Sequence, residues 1–421
     1  MAQFSILGMV LESMRDRFTI VLVGALLPLV GCGSSVVVNN NGSGSGTGNP
    51  PSSPSWSSVP VPSEISANGA SYSVEPDGYL YATVHSGAIP NIQNSVLRTP
   101  AANPGTWTDI TGAGLSDGSN FLGAVGMTPN GTILASGAPA AGGVAYVFAW
   151  NGSTSSPVWT EVTGWNLLSS SRIYGFTNDS AGYTYFSPAW SGDIWRNDAP
   201  NSLNFTRVAA NLYGVTNGGA TGHPTSGGIY AMSVFNLNDG KGDMMWACGE
   251  GELDNIALNF SPTSNTAYLT TAKGYSGNCT GFDKSPTTIL AMRTASPSLD
   301  SGYDTLTGIN IATRATTVHA ASFPRSSTAF PGHISMNLVG LLHWVTGTTW
   351  VVSSQDGSTP SLTYLLISTD DGNTWTDMTA GGGIDSSCTG ANLSIGVVAT
   401  SQYVYARCQG GAVLWRYGPL S

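Results

Sequence analysis

Short runs in which apolar positions alternate with polar or small ones recur along the chain, each led by turn formers. Clear copies start at Asp77-Gly78, Asn130-Gly131, Ala181-Gly182 and Gly227-Gly228, and fainter ones at Pro286-Thr287, Gly347-Thr348 and Ser401-Gln402. Alternation with period two between turn formers is the pattern of a half-buried strand, because successive side chains point to opposite faces of a sheet. The seven copies lie 45 to 61 residues apart. A fixed pattern at that interval predicts a repeat architecture.

A second element follows the clear copies. Trp107, Trp159, Phe205 and Trp375 each open a short strand-like segment, with Phe260 and Tyr303 as degenerate versions. Each unit then holds an inner strand, the turn-led strand, a third strand and an outer aromatic strand, which is the composition of a β-propeller blade. The last unit stops after its third strand, at Tyr417, and the body begins with an aromatic strand at Trp56 that has no unit before it. Joining the two ends completes a seventh blade and removes exposed strand edges. The expected fold is all-β: a seven-bladed β-propeller of four-stranded antiparallel blades over residues 56–421, closed by pairing of its N- and C-terminal strands.

The N-terminal segment reads differently. An apolar run from Thr19 to Val30 follows Arg15 and Arg17 and ends at Leu29-Val30-Gly31-Cys32. It is short for a bilayer span and has the basic front edge of a secretory signal. Its ending resembles the bacterial lipobox, which implies cleavage before Cys32 and acylation of that cysteine. Residues 1–31 are then the signal, with a possible true start at Met14. Gly33 follows the cysteine, and the resemblance implies sorting to the outer membrane. Residues 32–55, rich in Gly, Ser, Asn and Pro, have too little apolar surface to offset ordering entropy and read as a flexible tether.

Composition narrows the function. Charged residues make up 9% of the chain, with 14 Lys plus Arg against 24 Asp plus Glu and a net charge of −10. So few cations disfavour nucleic acid as a partner. Beyond Cys32, the even set Cys248, Cys279, Cys388 and Cys408 suits an oxidising compartment. Three pairings are open, and Cys248–Cys279 with Cys388–Cys408 is preferred because each links neighbouring repeats. No zinc spacing occurs, and no cofactor or metal site is expected; residues 236–243 lack the oxygen spacing and terminal Glu of a calcium loop.

Ser368, Asp370, Gly372, Thr374 and Trp375 follow the pattern Ser-x-Asp-x-Gly-x-Thr-Trp. This resembles the Asp-box, or BNR repeat, of sialidases and related propellers. The resemblance implies a structural hairpin turn away from any catalytic face: Asp370 accepts backbone N–H groups, Gly372 takes positive φ, and Trp375 tucks under the next strand. The sialidase arginine trio and Arg-Ile-Pro motif are not evident. Other propellers with this motif are glycoside hydrolases acting on plant glucans, where two carboxylates straddle the scissile bond.

No catalytic residue is assigned. Candidates for a ligand face are Trp165 and Trp190, as stacking surfaces for sugars, with Asp193, Asp239, Arg314, His319 and Arg325. The last two, with Arg314, fall in a long Thr-, Ala- and Ser-rich connection over 309–333, and long loops in compact β folds tend to carry function. The expected role is a non-enzymatic binding or scaffolding module for protein or glycan, lipid-anchored in the bacterial envelope. The rival is a glycoside hydrolase or lyase acting at the channel mouth.

Overall fold

The computed structural model describes residues 54–87, 91–115, 120–139, 146–162, 173–188, 193–209, 229–236, 242–249, 253–257, 268–270, 278–294, 305–313, 315–318, 342–355, 363–378, 384, 393–408 and 411–420. Among them the strands form seven four-stranded antiparallel sheets. We number these blades 1 to 7 by their inner strands: Ser71–Val74, Asn120–Met127, Ile173–Asn178, Ile229–Asn236, Asn278–Lys284, Leu342–Thr346 and Leu393–Ala399. Within each blade the strands follow chain order from inside to outside, except in blade 7. There Leu393–Ala399, Val404–Cys408 and Val413–Gly418 are completed by Ser55–Val59 from the other end of the chain. The register runs from Ser55 opposite Gly418 to Val59 opposite Leu414.

Between blades the packing is apolar, and its seams follow one another around the molecule. Tyr81, Ile110 and Leu122 join blade 1 to blade 2, and Leu134, Phe176 and Phe186 join 2 to 3. Tyr185 with Met245, Trp246 with Ile289, and Leu290 with Trp350 fill the next three. Val351 and Leu365 meet Val404 and Trp56 between blades 6 and 7, and Tyr405 and Leu414 meet Tyr72 and Leu80 between 7 and 1. Trp159, Trp246, Trp350 and Phe205 are wholly buried in these seams. Each side chain of that size removed from water contributes about 1.5–3 kcal/mol, so the seams are the main source of stability.

Three of the tryptophans at the start of outer strands also stitch their blade to its neighbour. Trp56 Nε1 donates to Met378 O at 3.0 Å, Trp107 Nε1 to Pro60 O at 2.8 Å, and Trp159 Nε1 to Ile110 O at 2.9 Å. In every case the acceptor is the residue just past the outer strand of the preceding blade.

Three expectations from sequence need correction. The run after Gly227 is the inner strand of blade 4, whereas the turn-led strand is Asp243–Gly249, preceded by Gly242 at φ 77°. The outer strands of blades 4 and 5 are Tyr268–Thr270 and Thr316–Val318, so Phe260 and Tyr303 do not open them. The connection expected over 309–333 starts later, because Ile309 and Asn310 end a strand and Thr316–Val318 forms another. A six-residue helix, Ser63–Asn68, links blade 7 to blade 1 and buries Ile65. Among the described residues no helix is long and apolar enough to cross a membrane.

Candidate functional site

Inner and second strands are joined by hairpin turns on one face of the molecule, which we term the turn face. The segments that carry the chain from one blade to the next leave from the opposite, connection face. On the turn side, one side-chain arrangement recurs in three blades. The second strand carries Tyr-x-Tyr, and the second tyrosine lies opposite an arginine of the third strand: Tyr81 and Arg98, Tyr185 and Arg196, Tyr405 and Arg416. Each guanidinium then stacks on the first tyrosine, at 4.1 Å for Arg98 on Tyr79, 4.5 Å for Arg196 on Tyr183 and 4.5 Å for Arg416 on Tyr403. Such stacking suits a planar, weakly hydrated cation at a partly dry seam.

Acids and carbonyls complete these clusters. Tyr81 donates to Asp77 Oδ2 at 2.6 Å, and Tyr185 to Asp179 Oδ2 at 2.8 Å. Tyr405 donates to Ala101 O of blade 1. Burial, and then the adjoining carboxylate, pushes the Tyr81 and Tyr185 phenols well up, so both are hydrogen-bond donors at any ordinary pH. Arg98 also lies 4.9 Å from the Trp150 ring of blade 2, and Arg416 Nη1 donates to Ala102 O of blade 1 at 3.1 Å. These three arginines therefore stack on tyrosines of their own, separate blades, and Arg98 and Arg416 also reach across a seam; the three do not converge as a carboxylate clamp. Arg407, on the second strand of blade 7, is buried, which pulls its pKa down to about 10 against the opposing effect of Tyr72.

The turn of blade 6 contains Ser368, Asp370, Gly372 and Trp375. Asp370 Oδ1 accepts the Ser368 hydroxyl and the Thr374 N–H, both at 2.8 Å, and its Oδ2 accepts the Thr374 hydroxyl at 2.6 Å. The little burial it has raises the Asp370 pKa, but these bonds outweigh that and hold it below the usual range. Gly372 has φ 85°, and a Cβ there would lie 2.9 Å from Leu290 Cδ1 of blade 5. Trp375 Nε1 donates to Gly372 O at 3.0 Å, inside the turn itself. Asp371, between the patterned residues, takes φ 62° and bridges blades by accepting Trp350 Nε1 at 2.8 Å and the Thr288 hydroxyl at 2.9 Å.

One acid stands apart. Glu75, at the end of the blade 1 inner strand, is 4% exposed, and its Oε1 has no hydrogen-bond partner. Burial raises its pKa well above the ordinary 4.5; the Ser73 hydroxyl opposes this weakly and the Asp77 charge adds to it. A buried carboxyl without a cation stays neutral.

Of the ligand-face candidates, Asp193 is described and forms an ion pair with Arg207 at 3.4 Å on the edge of blade 3. Trp165, Trp190, Asp239, Arg314, His319 and Arg325 lie outside the described residues, as do Cys32 and Cys388. Cys248 and Cys279 sit on the strands Asp243–Gly249 and Asn278–Lys284. Cys408 is buried and disulfide-bonded. Among the described residues no group of His, Cys, Asp and Glu is placed to hold a metal. Sequence reasoning missed the arginine stacks, Asp371 and Glu75. The Tyr-x-Tyr runs were visible, and an arginine on the following strand was the available signal for the stacks.

No family model matches the chain, and no curated protein matches it. Solved structures do. Virginiamycin B lyase from Staphylococcus aureus, in a catalytically inactive variant with quinupristin, is similar at TM-score 0.53 and 10% identity, over 87% of this chain and 100% of that one. Polysaccharide lyase Uly1 is similar at TM-score 0.49 and 11% identity, over 85% and 91%. Puromycin hydrolase is similar at TM-score 0.49 and 12% identity over 82% of this chain, which spans about half (51%) of that protein's length. Identities this low speak to architecture only. Together with the strand order, the likeness to the lyase makes this chain an all-β propeller with four-stranded antiparallel blades.

Proposed function

We propose that this chain is a lipid-anchored propeller of the bacterial envelope that binds protein or glycan through its loops and performs no catalysis. The observation that carries this reading is the use of its chemistry-bearing side chains. Arg98, Arg196 and Arg416 stack on tyrosines within their own blades, and Asp77, Asp179 and Asp371 accept hydrogen bonds that tie strands or blades together. A frame held so firmly suits rigid presentation of loops, where shape and a few polar groups give specificity. In this reading 368–375 is an Asp-box turn, Cys32 carries the acyl chains, Gly33 directs the protein to the outer membrane, and 32–55 is the tether. The ring has seven blades and is closed by the N-terminal strand. Cys408 pairs with Cys388, and Cys248 with Cys279.

The test uses the full chain with Cys32→Ser. Membrane fractionation should find the wild type with membranes and the variant in the soluble fraction. The soluble variant is then screened on a glycan array and against chromogenic glycosides. Saturable glycan or protein binding without turnover is the expected outcome. Steady turnover of any glycoside sinks the binding-module reading in favour of a hydrolase or lyase.

A further inference from the structure

Three Asn-Gly pairs lie among the described residues: Asn68-Gly69, Asn130-Gly131 and Asn151-Gly152. In such a pair no Cβ keeps the glycine nitrogen from the asparagine side chain. The three glycines share nearly one backbone conformation, with φ of 77°, 87° and 79°. Their N–H groups differ. That of Gly69 donates to Ile65 O at 2.7 Å and that of Gly131 to Thr128 O at 2.9 Å. The N–H of Gly152, exposed in the hairpin between Val147–Trp150 and Trp159–Glu161 of blade 2, meets no acceptor among the described residues. Beside it, Asn151 Oδ1 accepts the N–H groups of Ser153 and Val158, both at 3.1 Å, and Nδ2 donates to Ser156 O at 3.0 Å. Two main-chain donors on one carbonyl oxygen stabilise negative charge that develops there, as in an oxyanion hole. Asn130 Oδ1 also accepts hydrogen bonds, from Thr128 and Thr132, so the free glycine N–H is what sets Asn151 apart.

We propose that Asn151 is a self-modification site, at which the chain converts its own asparagine to aspartate and isoaspartate. Hydroxide removes the Gly152 N–H proton, and the nitrogen bonds to Asn151 Cγ while the charge passes onto Oδ1, between the Ser153 and Val158 donors. The Cγ–Nδ2 bond then breaks, and Nδ2 takes a proton from water and leaves as ammonia. A five-membered succinimide remains. Water adds to either ring carbonyl and opens it, giving aspartate or isoaspartate. The product falls on a seam, because Val158 bridges Ala113 in the link from blade 1 and the Trp159 N–H donates to Ala113 O at 2.8 Å. Aspartate at 151 has no Nδ2 to offer Ser156 O, and isoaspartate lengthens the main chain there by one carbon. Conversion therefore loosens the hairpin that joins blade 2 to blade 1.

The test holds the full-length chain at pH 8 and follows peptides spanning the three pairs by mass spectrometry, with fragmentation that separates aspartate from isoaspartate. Asn151 should convert about tenfold faster than Asn68 or Asn130, since freeing a hydrogen-bonded N–H costs about that factor. In guanidinium, where the three pairs share one environment, the rates should converge. Equal rates in the folded chain, or the same ranking in the unfolded one, overturn the proposal. Gly152→Ala places its Cβ in open space, and circular dichroism should show an unchanged fold. That variant should slow conversion at 151 by about tenfold, because the Cβ hinders approach of the nitrogen to Cγ. Conversion of the variant at the wild-type rate, or aspartate formed without isoaspartate, means direct hydrolysis of the side chain and overturns the ring-closing route.

Discussion

The indole N–H of Trp56 donates to the main-chain carbonyl of Met378 at 3.0 Å, across 322 residues of chain. It ties the first strand of the propeller to blade 6 while the same strand pairs with the last strand in blade 7. Trp56 also packs at 5.2 Å on Tyr417. Trp56→Phe keeps most of the apolar contact but leaves the Met378 carbonyl without its donor, at a cost of about 1–2 kcal/mol. Trp56→Ala should cost about 3–5 kcal/mol. Urea unfolding of the soluble chain checks both; a shift below about 0.5 kcal/mol for Ala would show that this strand does not secure the ring.

Glu75 sets a pH dependence. Its folded pKa is raised above the ordinary 4.5, so the folded state binds a proton that the unfolded state releases first. The stabilising effect is complete below pH 4.5 and is lost as pH rises from there through the raised value. Glu75→Gln should flatten that slope and leave the variant more stable than the wild type at pH 8. Thermal midpoints of both proteins from pH 4 to 9 provide the comparison, and parallel curves would remove Glu75 as the cause.

Gly372 meets two demands at once, a left-handed φ of 85° and close approach to Leu290 of blade 5. Gly372→Ala should therefore cost about 1–3 kcal/mol. Gly131, at φ 87° with open space where a Cβ would go, bears only the first demand. Gly131→Ala should cost about 1 kcal/mol. Equal losses in chemical denaturation would refute the steric part of this account.

Asp370 works in the opposite pH sense to Glu75. Its pKa is depressed by the bonds from Thr374 and Ser368. The stability it brings is present above its ordinary 3.8 and is lost as pH falls through the depressed value. Asp370→Asn should narrow the difference from wild type as the pH is lowered toward 2. Circular dichroism melts at pH 2, 4 and 7 follow it, and a constant difference would mean the carboxylate charge plays no part.

Cysteine pairing is open to direct measurement. Peptide mapping without reductant should recover a peptide joining Cys388 to Cys408 and another joining Cys248 to Cys279. Recovery of Cys408 joined to Cys248 or Cys279 would replace that assignment.

The blade repeat was legible in the sequence because the hairpin turns of blades 1, 2 and 3 each place a residue at positive φ, and Gly78, Gly131 and Gly182 supply it at regular spacing. The same local logic misplaced blade 4. The run after Gly227 alternates as well as a second strand does, and only pairing with Asp243–Gly249 shows it to be the inner one. Trp107 and Trp159 were visible as strand openers, but their acceptors, Pro60 O and Ile110 O, are backbone groups that leave no mark on side-chain pattern. Arginines on third strands look alike in sequence whether they stack on a tyrosine or face a ligand. Register decides, and register is a property of the folded pair.

Placing the first strand beside the last has a consequence for biogenesis. Ser55–Val59 is synthesised early and waits for Val413–Gly418 to follow. Until then the faces of blades 1 and 6 that will meet it lie open, with Leu80, Val351 and Leu365 available to chaperones and proteases. Closure over so great a sequence separation is intrinsically slow. Quality control would then act chiefly on this late step, and a premature stop shortly before Val413 would be as damaging as the loss of a whole blade.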